Sequence, residues 1–290
     1  MSKKENSAKR VGEHISAFKC PLCESEMRVV DLKSLICSNN HTYDFAKQGY
    51  INLMTQQSNS HYSKELFEAR KNIINDTDLY AEMHKAISNV IKENMDISKN
   101  PFLIVDLGSG EGSHLQRIIE KCGTEMITGV GLDIAKEGIV AAAKNYEDLI
   151  WLVGDLAKSP LADHSFHVIL NILSPSNYKE FKRMLVHDGL VIKVVPGPNY
   201  LKEVREALFE STEKKDYRNA DTVSLFKEHF KLIDNITLNY TKILNKEELF
   251  NLVRMTPLAW SGDQDRINAF SNQDSVEITI DLEILVGVNK

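Results

Sequence analysis

The sequence predicts an α/β protein with a doubly wound, mostly parallel sheet, an antiparallel hairpin at one sheet edge, and a small N-terminal zinc ribbon. From residue 102 onward, short apolar strand patterns alternate with helical patterns, which is typical of a parallel sheet covered by helices. Two β-rich segments near the C terminus, separated by one helical pattern, indicate the hairpin. Three of the four cysteines lie between residues 18 and 54 together with a histidine, which indicates the ribbon.

The composition is that of an ordinary globular protein of 290 residues, with 42% hydrophobic and 26% charged residues. The net charge of −6 argues mildly against a protein that coats nucleic acid non-specifically, although residues 1–60 are slightly basic. No apolar run approaches the roughly 18 residues that a membrane-spanning helix needs. The polar start "MSKKENSAKR" carries no secretory signal, so we expect a cytoplasmic protein with a disordered tail over residues 1–17.

The predicted ribbon spans residues 18–54 and contains Cys20, Cys23, Cys37 and His41. The spacing Cys-x2-Cys-x13-Cys-x3-His lets two knuckles of a short hairpin offer four ligands to one tetrahedral ion. Thiols of a cytoplasmic chain bind zinc more often than they form disulfides. A redox-active Cys-x-x-Cys pair is the main alternative, but it requires neither Cys37 nor His41. We therefore predict one structural Zn²⁺.

Residues 55–100 follow the ribbon as a polar linker and two helices that lead into the main domain. The linker "TQQSNSHYS" has no hydrophobic period, whereas "KELFEARKNIIN" and "DLYAEMHKAISNVIKENM" place apolar residues at helical spacing.

The main domain, residues 101–290, begins with five predicted strands separated by helices. The strands are "FLIVDL", "MITGVGLD", "LIWLVGD", "FHVILNIL" and "LVIKVV". The segments "NITLNYTKIL" and "VEITIDLEILVG" could pair antiparallel as the edge hairpin.

The turn "VDLGSGEG" after the first of these strands is the main candidate for a ligand-binding loop. Gly108, Gly110 and Gly112 let the backbone turn sharply and let a ligand approach it. Ser113 occupies the position where a dinucleotide fingerprint would have its last glycine. Asp106, directly before the loop, suits a cofactor that carries an ammonium group rather than a pyrophosphate.

Two further acids follow the next two strands. Asp133 ends the second strand, where a carboxylate can bind both ribose hydroxyls, and Asp155 follows the third, where it could contact an adenine amino group. Either acid alone could instead cap the next helix. The three features in order resemble the S-adenosylmethionine site of Rossmann-like, class I methyltransferases.

The remaining candidates lie after the fourth and fifth strands, where a topological switch point places the ligand crevice. Asn171, in "NILSP", could hydrogen-bond the target base and is a tentative catalytic residue, or it could cap a loop. Tyr200, in "VVPGPNYL", could close over the cofactor, or it could simply pack. The sequence does not identify the general base.

The order of motifs resembles the RlmA family of 23S rRNA guanine-N1 methyltransferases from Phe18 almost to the end of the chain. The resemblance is carried by "FKCPLC", "CSNNHTYDFAKQGYINLM", "FEARK", "VDLGSGEG", "GLDIAKEGIVAAAK", "VVPGPNYL" and "MTPLAW". It implies zinc ligation by the three cysteines and His41, and cofactor contacts by Tyr80, the 110–112 loop, Asp133 and Tyr200. The strand-end pattern and the resemblance together predict these cofactor-binding residues: Tyr80, Asp106, Gly108, Gly110, Glu111, Gly112, Asp133, Asp155 and Tyr200.

The resemblance also implies a substrate and an assembly. The family methylates guanine N1 in a 23S rRNA hairpin, binds RNA with its ribbon and forms a homodimer, and one branch is associated with macrolide resistance. In the ribbon, Tyr43, Phe45 and Tyr50 could stack on RNA bases, although packing inside so small a module is the expectation for at least two of them. Two other function classes stay open: a methyltransferase of small molecules or proteins with a purely structural ribbon, and a non-catalytic cofactor-binding module.

Overall fold

The computed structural model describes residues 1–56, 62–98, 101–209 and 219–290. A three-stranded antiparallel sheet forms the ribbon, in the order β1-β2-β3. Its elements, with the first helix and one further short strand, are α1 (Lys3–Glu13), β1 (Met27–Val30), β2 (Ser34–Cys37), β3 (Thr42–Asp44) and β4 (Ile51–Asn52).

The first residues are helical, so the prediction of a disordered tail over residues 1–17 is wrong. Helix α1 begins with a capping box, in which the Ser2 hydroxyl accepts from the Glu5 amide and the Glu5 carboxylate accepts from the Ser2 amide. Ala8 and Val11 are fully buried. Lys3 Nζ lies 2.8 Å from a Glu147 carboxylate oxygen of the main domain. The narrow apolar stripe formed by Ala8 and Val11 packs α1 against the rest of the protein, although most residues of the helix are polar.

Two helices lead into the main domain as predicted: α2 (Lys64–Asp76) and α3 (Ala81–Asn94). Within the predicted linker and lead-in region, residues 57–61 and 99–100 lie outside the described residues.

The main sheet has eight strands in the order β10-β11-β9-β8-β5-β6-β7-β4. Its strands after β4 are β5 (Phe102–Leu107), β6 (Ile127–Asp133), β7 (Ile150–Val153), β8 (Phe166–Ile172), β9 (Leu185–Pro196), β10 (Phe230–Asn245) and β11 (Ser275–Asn289). Strands β4 to β9 pair in parallel, whereas β11 pairs antiparallel with both β9 and β10. The predicted doubly wound sheet with an antiparallel edge hairpin is confirmed.

Helices cover the sheet on both faces, and the apolar side chains of each face form a core layer. After α3 the helices are α4 (Ser113–Cys122), α5 (Lys136–Asn145), α6 (Tyr178–Met184), α7 (Lys202–Leu208), α8 (Ala220–His229), α9 (Lys246–Met255) and α10 (Gln264–Ser271). In the part of the chain that the structure describes, no helix combines the length and apolarity needed to cross a membrane.

Strand β4 joins the two modules. It lies inside the region assigned to the ribbon from the sequence, yet it extends the main sheet by pairing in parallel with β7. Ile51 pairs with Leu152, and the amide of Leu53 donates to the carbonyl of Val153 at 2.8 Å. The ribbon region therefore contributes one edge strand of the main sheet.

Candidate active site and metal centre

The four predicted zinc ligands come together at one point of the ribbon. One donor atom from each of Cys20, Cys23, Cys37 and His41 lies within 4.8 Å of the other three. Cys23 Sγ is 3.7 Å from Cys37 Sγ, and His41 Nδ1 is 3.4 Å from the sulfurs of both Cys20 and Cys37. Zn–S bonds of about 2.3 Å in a tetrahedron put sulfurs about 3.8 Å apart, so the cluster fits Zn²⁺.

The chemistry of the cluster also favours a metal over a disulfide. All three cysteines are free, and their sulfurs are much farther apart than the ~2.05 Å of an S–S bond. A hydrogen bond from the Ser25 hydroxyl lowers the pKa of the Cys23 thiol to about 5, and the thiolate is the form that binds metal.

The glycine loop between β5 and α4 needs its glycines for conformation and for space. Gly108, Gly110 and Gly112 all have left-handed backbones, with φ of 85°, 58° and 84°. A Cβ at Gly112 would overlap the Trp151 ring, and one at Gly108 would overlap the Ser174 side chain. The loop thus forms a bare backbone cradle at the carboxyl end of β5.

Two carboxylates lie buried in the floor of this cradle. Asp106 is 1% exposed and Glu111 is fully buried. Arg70, on α2, places its Nε 2.9 Å from Glu111, at ion-pair distance but without hydrogen-bond alignment. Burial raises the pKa of Asp106 to about 7, and it also raises that of Glu111, against the opposing charge of Arg70.

Several polar atoms of this floor have no hydrogen-bond partner among the described residues: Asp106 Oδ1, Ser109 Oγ and both carboxylate oxygens of Glu111. Buried polar atoms are normally satisfied, so this set indicates a ligand with hydrogen-bond donors. The α-ammonium group of S-adenosylmethionine is such a donor, and the residues fit that end of the cofactor. Arg70 is not predicted as a site residue from the sequence, although it lies in the "FEARK" motif that carries part of the family resemblance.

The other two predicted acids follow the neighbouring strands. Asp133 accepts hydrogen bonds from the amides of Gly110 and Ala135, at 2.8 and 2.7 Å. Asp155 is exposed and accepts from the amide of Ala157 at 2.8 Å. Asp133 thus ties the glycine loop to the end of β6, and Asp155 borders a separate cleft of about 310 Å³.

A cleft of about 650 Å³ opens beside the cradle. Tyr80 and Tyr200 lie in its wall, with their hydroxyl oxygens 2.6 Å apart. His114 also lines it and pairs with the buried His84, Nε2 to Nδ1, at 2.8 Å. Burial lowers the pKa of both histidines, so this is a neutral pair in which one ring N–H donates to the other ring.

Asn171 does not reach this cleft, so the tentative catalytic assignment is corrected. It is fully buried, and its amide nitrogen donates to the carbonyls of Leu107 and Pro175, each at 3.0 Å. Its amide oxygen accepts from Ser176 Oγ at 2.9 Å and from Lys193 Nζ at 2.6 Å. Two donors and two acceptor positions are thereby used, which leaves no capacity to bind a base.

Lys193 is the residue in this region that the sequence did not reveal. It is 3% exposed on β9, lines the 650 Å³ cleft and donates to Asn171, to Ser176 Oγ at 2.6 Å and to the Ser174 carbonyl at 3.2 Å. Burial lowers its pKa to about 8. In the sequence, "LVIKVV" looked like a buried strand, and a lysine in such a strand is the signal that could have indicated a site.

The ribbon aromatics lie mostly in its interior. Phe45 is 2% exposed and Tyr50 is 9% exposed, whereas the Tyr43 hydroxyl lies 3.6 Å from Cys20 Sγ. Phe45 and Tyr50 therefore pack, and do not offer an open face to a base.

Comparison with known proteins agrees with this architecture. The family model for the N-terminal domain of RlmA, a zinc ribbon, matches residues 18–61, and a methyltransferase-domain model matches residues 104–189. A Bacillus subtilis (strain 168) protein with the provisional name 23S rRNA (guanine-N1)-methyltransferase YxjB is 40% identical over 94% of this chain and 97% of its own length.

Two more distant relatives also match along most of their length. The 23S rRNA (guanine(748)-N1)-methyltransferase of Streptomyces fradiae is 28% identical over 86% of this chain and 88% of its own. A Micromonospora griseorubida protein, provisionally named a 23S rRNA (guanine-N1)-methyltransferase, is 29% identical over 87% of this chain and 90% of its own length. With the ribbon, the class I fold and the similarity all in agreement, the chain belongs to the RlmA family of 23S rRNA (guanine-N1)-methyltransferases.

Proposed function

We propose that this protein transfers a methyl group from S-adenosylmethionine to N1 of a guanine in a 23S rRNA hairpin. The observation that carries the proposal is the glycine cradle beside a 650 Å³ cleft, with buried carboxylate oxygens of Asp106 and Glu111 that accept no hydrogen bond from the described residues. The similarity to YxjB along nearly the whole chain supports rRNA as the substrate. The S. fradiae relative, named for guanine 748, supports N1 of a guanine as the acceptor.

The cofactor supplies an electrophilic methyl group when bound, and the chain has to align that group with its acceptor. In this proposal Asp106 and Glu111 hold the methionine ammonium, Asp133 holds the ribose and Asp155 holds the adenine. Tyr80 and Tyr200 border the space between the cradle and the acceptor, where the guanine would have to be splayed out of its helix.

Lys193 provides the electrostatic part of the reaction. Guanine N1 carries a proton at neutral pH, so methylation requires that this proton leave and that the remaining negative charge be stabilised. The Lys193 ammonium group, buried in the wall of the cleft, supplies positive charge at low local dielectric. The N1 proton leaves to solvent. Lys193 does not take it up, because its ammonium group stays protonated and donates hydrogen bonds to Asn171, Ser174 and Ser176.

The ribbon contributes to RNA binding in this proposal. Arg28 on β1 and Lys33 in the following turn are exposed, and residues 1–60 are slightly basic while the remainder is acidic. Replacing both residues with alanine should weaken rRNA binding and leave S-adenosylhomocysteine binding unchanged. Lys231→Ala, an exposed lysine on β10, is the matched control.

The decisive test is methylation of 23S rRNA from cells that lack this gene. Purified protein and S-adenosylmethionine should create one new reverse-transcription stop, the signature of N1-methylguanine. An unchanged stop pattern, with methyl transfer to a small molecule or a protein instead, would assign the cleft to the alternative function.

The family resemblance further leads us to propose a homodimer in the cytoplasm and, for one branch of the family, macrolide resistance. Sedimentation of the purified protein tests the dimer. Comparison of macrolide sensitivity in cells with and without the gene tests the resistance.

A further inference from the structure

We propose that the zinc ribbon forms one wall of the cofactor's adenosine site, so that zinc binding and cofactor binding strengthen each other. This inference rests on the proposed use of S-adenosylmethionine. It gives the ribbon a role in the cofactor site in addition to any contact with RNA.

The ribbon holds the start of the loop that carries Asp155. Strand β4 pairs in parallel with β7, with Asn52 opposite Val153, and the amide of Leu53 donates to the Val153 carbonyl at 2.8 Å. Val153 is two positions before Asp155 in the chain. The backbone that leads into the adenine-binding acid is therefore fixed by a strand of the ribbon.

The ribbon also holds the far end of the same loop. The amide of Lys19, next to the zinc ligand Cys20, donates to the Pro160 carbonyl at 3.0 Å. The amide of Ala162 donates to the Ala17 carbonyl at 2.9 Å, and Phe18 forms a β-bridge with Leu161. Both ends of the 154–160 segment are thus bonded to backbone that belongs to the ribbon or leads directly into it.

The cleft of about 310 Å³ beside Asp155 has walls from both modules. Ile134 and Asp155 come from the main domain, whereas Pro21, Leu53 and Met54 come from the ribbon and its β4 extension. Ile134 follows the ribose-binding candidate Asp133 and leaves 38% of its surface exposed. An exposed apolar side chain beside a carboxylate suits a flat base with an amino group, which is the chemistry of adenine.

Pro21 makes this wall depend on the metal. It lies between the ligands Cys20 and Cys23, in the knuckle that zinc holds together. If zinc fixes Pro21, then an adenosine moiety against Pro21 must also favour the zinc-bound ribbon, because coupling between two sites is reciprocal. Couplings of this kind typically amount to about 5- to 150-fold in affinity.

The first test measures zinc release from the full-length protein to a chromophoric chelator, without RNA. Saturating S-adenosylhomocysteine should raise zinc retention at least about fivefold, and methionine, which lacks the adenosine, should leave it unchanged. Equal zinc retention with and without bound S-adenosylhomocysteine would overturn the coupling. Failure of the wild-type protein to bind S-adenosylhomocysteine at all would instead contradict the proposed function.

The second test separates the ribbon wall from the ribbon as a whole. Pro21→Ala and Met54→Ala should each lower the affinity for S-adenosylhomocysteine about fivefold. Calorimetry measures this affinity in variants that still contain one zinc per chain. Leu22→Ala is the matched control, since Leu22 belongs to the same knuckle, is 55% exposed and does not line the cleft. Met54 is outside the knuckle, so its variant remains informative if Pro21→Ala loses zinc. Wild-type affinity in both wall variants would overturn the inference.

Discussion

The ribbon cluster and the floor of the glycine cradle are two polar centres that are built in different ways. The four ligands of the ribbon lie between residues 20 and 41, and local turns bring them to one point. The floor joins Asp106 and Glu111 of the loop to Arg70, which arrives on α2 from an earlier part of the chain. Local spacing therefore predicts the first centre, whereas only packing of a helix onto the loop creates the second.

The two centres also differ in the charge that they leave uncompensated. A single Zn²⁺ would satisfy the thiolates and the histidine of the ribbon. In the floor, Arg70 offsets one of two buried carboxylates, and several oxygens have no partner in the described ranges. We therefore expect the ribbon to depend on its ion for its fold, and the floor to depend on its proposed ligand for its charge balance.

Removing one zinc ligand should have the largest effect, because small metal-binding modules usually depend on the ion for their fold. Cys37→Ser should reduce zinc from about one ion per chain to nearly none and abolish rRNA methylation. Elemental analysis and the reverse-transcription assay measure the two effects. Cys122→Ser, a buried cysteine on α4, is the control and should retain zinc. A Cys37→Ser protein with full zinc content would show that the cluster is not the metal site.

Removing Arg70 disrupts the floor of the glycine cradle, and its effect should be smaller than that of removing a zinc ligand. Arg70→Met leaves the fully buried Glu111 without its counter-ion, a change worth about 3–5 kcal/mol of unfolding free energy at neutral pH. Denaturant unfolding measures it, and zinc content should not change. Lys9→Met, from an exposed pair with Glu13, should cost less than about 1 kcal/mol. Equal stabilities for the two variants would mean that Glu111 is protonated and needs no partner.

The raised pKa of Asp106, in the floor of the cradle, predicts how the stability of the folded protein depends on pH. Its folded pKa of about 7 lies above the ordinary value of 3.8, so the folded chain holds this proton more tightly than the unfolded chain. Its contribution to stability is fully present below about pH 4 and is lost as the pH rises through about 7. Asp106→Asn should remove that decline, which has a limiting slope of about 1.4 kcal/mol per pH unit.

Thermal unfolding of the cofactor-free protein at several pH values, compared with Asp106→Asn, measures the effect. Parallel pH profiles for the two proteins would show that Asp106 titrates normally. Bound S-adenosylhomocysteine, through its ammonium group, should favour the ionised carboxylate and flatten the wild-type profile.

Lys193 should give the smallest effect, because it is proposed to act on the acceptor through its charge. Lys193→Met should lower kcat about tenfold, equivalent to about 1.4 kcal/mol, with little change in cofactor affinity. Wild-type activity should fall as the pH rises above about 8, where Lys193 loses its charge, and the variant should lack this decline. Lys85→Met, an exposed lysine on α3, is the control. A variant that keeps the alkaline decline would assign it to another group.

The sequence predicted those features that short-range patterns determine. Strand alternation gave the sheet and its edge hairpin, and cysteine spacing gave the metal cluster. Arg70 and Lys193 were missed because their significance comes from burial next to distant residues, which periodicity does not reveal. Asn171 was misread for the same reason, since its four hydrogen bonds reach residues on β5, on β9 and in the following loop. The helical N terminus was missed because a polar composition concealed a narrow apolar stripe.

Strand β4 has a further consequence, for the protein's behaviour during folding. The buried strand β7 (Ile150–Val153) would be an open apolar edge without it, and such edges are templates for pairing between chains. The opposite edge strand, β10, has alternating exposed residues and carries charges such as Lys231 and Asp234, which discourage pairing. Charged residues on β10 thus disfavour pairing between chains at one edge of the sheet. At the other edge, strand β4 of the zinc-ribbon region covers β7. We therefore expect newly made protein that lacks zinc to be the form most prone to aggregate.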